Sequence, residues 1–215
     1  MDKSNGPLLV GLCGRSGVGK GYVSRLFAEV GIPAIDTDAV YRKLTSPCAG
    51  EDLSLCMREL IRFFGETIRN EDNSLNRAVL RGLVFGDENK ENLQKLNEIT
   101  HRHILRETER EADRLFREGY GIILIDAPVL FESGFDLFCD AVVCVTAPTE
   151  LSVKRIMERD GLDRHSAELR LASQISSEEL EKRSQYVIRN DTEKEELRRR
   201  VKCVAEALNE LYGAK

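Results

Sequence analysis

Short apolar runs alternate along this chain with longer stretches in which apolar residues recur every three or four positions. That is the pattern of a parallel sheet buried under helices. Leu8-Leu9-Val10-Gly11-Leu12-Cys13 predicts a strand buried on both faces. A helix over 20–30 follows, with Val23, Leu26, Phe27 and Val30 on one face and Gly31 as the stop signal. Ile32-Pro33-Ala34-Ile35 predicts a second, short strand. From Asp36 to about 116 the pattern is almost wholly helical, with amphipathic segments over 53–64, 75–85 and 91–116 and a turn at Gly86-Asp87-Glu88-Asn89. The charges of mixed sign over 106–118 read as a solvated helix face carrying ion pairs one turn apart.

Two more buried strands are predicted over 121–126 and 141–145, and a fifth over 186–188. Between the last two lie helices over about 149–159 and 163–174, interrupted at Gly161. The final helix places Leu197, Val201, Val204, Leu208 and Leu211 on one stripe, expected to pack against the sheet.

Composition narrows this picture. A chain of 215 residues with 41% hydrophobic and 32% charged residues is long enough for one sizeable core, so residues 1–215 read as a single domain. The net charge of −5 argues against nucleic acid as a partner, because that binding needs a basic surface to displace counterions. No run is long enough to span a membrane, and 8–13 is too short for a signal-peptide core after the polar start Met1 to Gly6. Six cysteines, at 13, 48, 56, 139, 144 and 203, show no C-x-x-C pair and no histidine at ligand spacing. They read as buried free thiols of a reducing compartment, the cytoplasm.

The segment richest in chemistry is Gly14-Arg15-Ser16-Gly17-Val18-Gly19-Lys20, between the first strand and the first helix. It fits G-x-x-x-x-G-K, a loop whose backbone N–H groups turn inward to cradle phosphates. The helix behind it adds the positive end of its dipole, and Lys20 can reach the β- and γ-phosphates. Gly21 and Tyr22 follow where such loops normally carry a Ser or Thr whose hydroxyl binds Mg²⁺, so water is expected to fill that place. ATP and Mg²⁺ are the cofactors this loop predicts, with Gly14 through Tyr22 as nucleotide contacts.

Ligands of open α/β sheets gather at the carboxyl ends of the strands. Asp36 and Asp38 follow the second strand and Asp126 closes the third. Ile122 to Asp126 reads equally as a Walker B strand offering a carboxylate to Mg²⁺ and as a cap on the turn before Pro128. Of Asp36 and Asp38 one suffices as a helix cap, and Asp38 is the candidate base for a hydroxyl acceptor.

These residues resemble the dephospho-CoA kinase family, from about residue 8 to the final helix. Its opening G-I-x-x-I-D-x-D is matched by Gly31-Ile32-Pro33-Ala34-Ile35-Asp36-Thr37-Asp38. Its Leu-Asn before a His-Pro pair is matched by Leu96-Asn97 and His101, with Arg102 in place of the proline. Asp126-Ala127-Pro128-Val129-Leu130-Phe131-Glu132 resembles D-x-P-L-L-F-E. The lid pattern falls on Arg155, Arg159-Asp160, Arg164, Arg170 and Gln174, and V-I-x-N on Val187-Ile188-Arg189-Asn190, with Thr192 where a glycine is usual.

The resemblance implies a P-loop nucleoside-monophosphate-kinase-like fold: a parallel five-stranded sheet flanked by helices, with a helical substrate-binding region and a small lid. The core is expected over about 7–38, 120–150 and 185–215, the substrate region over 39–118 and the lid over 151–184. The implied reaction is ATP-dependent phosphorylation of the 3′-hydroxyl of dephospho-CoA, with Asp38 as base and substrate contact. Asn190 is then expected near the adenine and His101 near the substrate. Arg155, Arg159 and Arg164 would stabilise the transferring phosphoryl; read from the residues alone, they are as readily surface ion pairs. Gly21, Tyr22 and Arg102 keep a second reading open, a nucleotide- or CoA-binding paralogue with weak or lost turnover. A third, another small-molecule P-loop kinase, is opposed by His101 and the Asp126-to-Glu132 motif.

Overall fold

The computed structural model describes residues 7–47, 53–86 and 89–214. The polar start Met1 to Gly6, Cys48 and the centre of the turn at 87–88 lie outside them. Five described strands form one parallel sheet: β1 (Leu8–Cys13), β2 (Ala34–Asp36), β3 (Ile122–Asp126), β4 (Ala141–Thr146) and β5 (Tyr186–Arg189). Their order is β2-β3-β1-β4-β5. The central strand β1 is therefore shielded from both edges, which suits an apolar run with no polar alternation.

Two compact units divide the chain: Met1–Asp36 with Ala112–Lys215, and Thr37–Glu111. In the first, α1 (Lys20–Glu29) and α9 (Lys194–Gly213) supply apolar faces to the sheet. Leu12, Phe27, Leu124, Val143, Ile188 and Leu208 belong to that core. Each such side chain, once buried, contributes about 1.5–3 kcal/mol.

Two expectations shift here. The second strand begins at Ala34 rather than Ile32, because Pro33 has no N–H for the ladder; its carbonyl accepts the Leu124 N–H at 2.8 Å. On α9 the buried stripe is Leu197, Val201, Ala205 and Leu208, while Val204 is half-buried and Leu211 exposed.

Between β4 and β5 lie α6 (Thr149–Asp160), α7 (Arg164–Ala172) and a short α8 (Ser177–Lys182) that the apolar pattern did not reveal. The α6–α7 pair has its own small core of Val153, Ile156, Ala167 and Leu171. Asp163 caps α7 by accepting the Ser166 N–H at 2.7 Å.

The second unit holds α2 (Thr37–Leu44), α3 (Leu55–Phe64), α4 (Arg77–Val84) and most of α5 (Lys90–Arg117), which continues past Glu111. Ser54 and Asn76 cap α3 and α4 with side-chain oxygens, so both helices start two residues later than their apolar patterns suggest. Cys56, Met57, Leu60, Ile68, Leu80 and Ile99 form the core of this unit. An isolated antiparallel bridge, Arg69 to Leu75, was not foreseen. The charged end of α5 carries the expected pairs one turn apart, Arg110 with Glu107 and Arg114 with Glu118. Cys203 is exposed on α9, against the expectation of burial, while Cys13, Cys56 and Cys144 are buried.

Candidate active site

The phosphate loop is built by backbone conformation and by donors that grip its outer side. Gly17 (φ 78°) and Gly19 (φ 88°) lie in the left-handed region. A Cβ at Gly17 would meet the Ser152 backbone, and one at Gly19 the Asn190 side-chain amide. Arg155 Nη1 donates to the carbonyls of Gly17 (3.3 Å) and Val18 (3.4 Å), and Asn190 Nδ2 donates to Val18 O at 2.7 Å. A trans peptide points its C=O and the next N–H in opposite directions. Holding these two carbonyls outward thus turns the N–H groups of Val18 and Gly19 toward the opposite side, where the Val18 N–H makes a long 3.4 Å bond to the Arg15 carbonyl. The start of α1 has no side-chain cap and no acid in its first turn. Its orphan N–H groups and dipole are left to favour an anion.

Lys20 forms an ion pair with Asp126, both side chains being about 15% exposed. Asp126 is the register partner of Asp36 on β2, so two carboxylates stand side by side at the strand ends. A Cβ built on Gly21 would meet nothing within 4 Å, leaving room for a hydroxyl side chain or for water. Tyr22 packs its half-buried ring against the sheet core with the Arg25 guanidinium 5.6 Å from the ring centre, and its N–H bonds Gly19 O at 2.9 Å. On the other side of the loop, Arg15 donates to Leu171 O and the Ser16 N–H to Gln174 Oε1 at 3.0 Å.

The outer arginines are exposed and paired within the α6–α7 region. Arg159 donates twice to Asp160, each bond 2.8 Å, and Arg170 donates to the same carboxylate. Arg164 bonds Glu150 and Glu168, each at 2.7 Å. The Arg159 hydrogen bonds, with help from Arg170, hold the Asp160 carboxyl down at about 2.

In the second unit, Asp38 is exposed in the first turn of α2, two residues beyond the end of β2. His101 is half-buried on α5, and burial pushes its imidazole below the usual histidine range. Arg102, in place of the family's proline, leaves α5 unbroken and pairs with Glu59.

The first unit thus brings together Gly14 through Lys20, Asp126 and Asn190, with Arg159 and Arg164 on its α6–α7 pair. The bracing roles of Arg155, Asn190 and Gln174 escaped sequence reasoning. Their only signals were the spacing Arg155, Arg159, Arg170, Gln174 and a lone Asn after the fifth strand.

A parallel sheet whose central strand runs into such a loop, with the lysine opening the next helix, defines the class: a P-loop nucleotide-binding fold. The sequence model of the family described as dephospho-CoA kinase matches residues 8–196. The dephospho-CoA kinase of Listeria monocytogenes is 36% identical over 192 residues, 89% of this chain and 92% of its own. That of Fusobacterium nucleatum is 33% identical over 205 residues, 94% and 98% of the two chains. Among solved structures, TT1252 from Thermus thermophilus superposes with a TM-score of 0.77 at 31% identity, covering 95% of this chain and 99% of that one. The dephospho-CoA kinase of Campylobacter jejuni shares the fold, with a TM-score of 0.59 at 24% identity over 93% and 96%. The chain belongs to the dephospho-CoA kinase family.

Proposed function

We propose that this protein transfers the γ-phosphoryl group of ATP to the 3′-hydroxyl of dephospho-CoA, giving CoA and ADP, the last step of coenzyme A biosynthesis. The observation that carries the reading is the braced phosphate loop with Lys20 at its end, in a chain matched to the family over 8–196. The loop amides and the α1 start hold the phosphates, and Lys20 offsets charge on them once phosphate oxygens draw it from Asp126. Asp38 takes the proton of the 3′-hydroxyl as its oxygen attacks the γ-phosphorus, and ADP leaves. Arg159 and Arg164 exchange their carboxylate partners for the transferring group as the lid closes. His101 contacts the acceptor and Asn190 lies by the adenine.

Asp126, flanked by Asp36, suits Mg²⁺, which takes one or two carboxylates together with phosphate oxygens and waters. Water would take the place of the hydroxyl that Gly21 does not supply. Bound there, the ion would neutralise charge on the phosphates. The sheet core, the helical region over 39–118 and the lid over 151–184 are the working parts of one cytoplasmic enzyme acting on small molecules.

A coupled assay of ADP release with ATP, Mg²⁺ and dephospho-CoA tests the reading. Release that depends on dephospho-CoA is expected; ATP binding without it at any Mg²⁺ level would instead support the inactive paralogue. Asp38→Asn should retain ATP affinity and lose about 10²–10⁴-fold in kcat. Loss of ATP affinity together with turnover would make Asp38 a structural residue.

A further inference from the structure

The Ser16 N–H breaks the pattern of the phosphate loop. It is spent on the Gln174 side chain, at 3.0 Å from Oε1. One residue earlier, Arg15 Nη2 donates to the carbonyl of Leu171, and its Nε is buried. The same Leu171 carbonyl accepts the backbone N–H of Gln174 at 3.1 Å. The four residues therefore close a ring: Ser16 to the Gln174 side chain, Gln174 backbone to Leu171, Leu171 to Arg15, Arg15 back to Ser16. The ring is anchored, because the Leu171 side chain is 4% exposed in the α6–α7 core.

Fixing the Ser16 N–H fixes the plane of the Arg15–Ser16 peptide. The Arg15 carbonyl then points the other way, where it accepts the Val18 N–H at 3.4 Å. A single acceptor on Gln174 thereby sets the first bend of the loop, as Arg155 and Asn190 set the second. Phosphate oxygens are stronger acceptors than a carboxamide. An unrestrained Ser16 amide would turn toward them and carry the bend with it.

We infer that Gln174 is a positioning residue for ATP: it holds the Ser16 amide out of the cradle and ties the chain just beyond α7 to the loop. This rests on the reading of the loop as an ATP site. It assigns Gln174 no contact with substrate, and its effect falls on ATP rather than on dephospho-CoA.

The test uses the full chain with two substitutions: Gln174→Leu, which keeps bulk and removes the acceptor, and Gln174→Glu, which keeps an acceptor oxygen. ATP affinity is measured by calorimetry with Mg²⁺ and no acceptor, and exchange of the Ser16 amide by NMR. Gln174→Leu should weaken ATP binding about three- to tenfold, the worth of one lost hydrogen bond. It should also deprotect the Ser16 amide, with the KM for dephospho-CoA and the thermal midpoint unchanged. Gln174→Glu should keep that amide protected. ATP binding by Gln174→Leu as tight as wild type, or tighter, overturns the inference, the latter by showing that Gln174 competes with phosphate. Weakening matched by a fall in thermal midpoint overturns it too, since that marks a purely structural contact. If wild type itself ignores ATP, the kinase reading has failed, while Ser16 protection still reports whether the ring exists.

Discussion

The phosphate loop and the outer face of the α6–α7 pair lie in one compact unit but are held by opposite means. The loop is fixed from behind: carbonyls of Gly17 and Val18 taken by Arg155 and Asn190, and Gly17 pressed on the Ser152 backbone. Asn190 is 6% exposed, and such partly desolvated hydrogen bonds resist exchange with water. Arg164, by contrast, is 56% exposed on its side chain and bonded to two surface carboxylates. Exposed pairs of this kind contribute little and are screened by salt. The cradle is thus preorganised before the nucleotide arrives, whereas the arginines rest on exposed surface carboxylates, which the proposed transfer would require a polyphosphate to displace. Titration does not release Arg159 and Arg170, because Asp160 is held at about 2 and stays charged across the physiological range.

The harshest test of this contrast is Lys20→Ala. Lys20 belongs to the rigid half, where the guanidiniums of Arg15 and Arg155 are already engaged with backbone carbonyls. Steady-state kinetics should show kcat down about 10²–10³-fold, the usual cost of losing one charge-stabilising donor. A loss under about tenfold would mean the loop is not the phosphate site at all.

Arg164→Ala probes the exposed half and should cost less, about 10–10²-fold in kcat if the guanidinium meets the transferring group. The urea midpoint should not move, since the pairs to Glu150 and Glu168 are surface contacts. A shifted midpoint with unchanged kcat would invert the comparison, making Arg164 a lid fastener.

What could be read from the sequence divides along the same line. β1, the loop and α1 were legible because local rules fix them: an apolar run, glycines where φ turns positive, and a 3.6-residue apolar period. Where a local rule was overridden, the reading slipped. Pro33 moved the start of β2 because a proline cannot donate to its neighbour, a fact about the ladder rather than about hydrophobicity. On α9 the buried residue is Ala205 rather than its neighbour Val204, and in the last turn Tyr212 rather than Leu211 packs against the sheet core, so the true stripe runs one residue further round the helix than the apolar spacing suggests. α8 went unseen because six residues with Leu180 as their buried member carry no period. In the site, the loop glycines and Lys20 could be named from spacing alone. The contacts of Arg155, Gln174 and Asn190 with the loop join residues more than a hundred positions apart, beyond the reach of any local pattern. Asp38 could be named from its place just after the second strand, with one aspartate of the Asp36 and Asp38 pair left over after capping, and the family likeness falls on the same residue; His101, on a half-buried helix face, was named through that likeness alone.

The mildest expected change concerns the one loop position that departs from the usual pattern. Gly21 lies in α1's first turn with free space around it, so Gly21→Ser adds a hydroxyl without a clash and also relieves the entropy cost of a helical glycine. If Mg²⁺ is carried by Asp126 and waters, one water would give way to the new hydroxyl. Its apparent affinity in the kinase assay should then rise roughly two- to fivefold, with kcat hardly altered. The rigid half of the site predicts this modest gain, because the braced loop already fixes where the hydroxyl would point. An unchanged Mg²⁺ dependence would place the ion away from the α1 start. A fall in kcat would show that the water at Gly21 does something a serine cannot, and the preorganisation argued for the loop would then have to include its solvent.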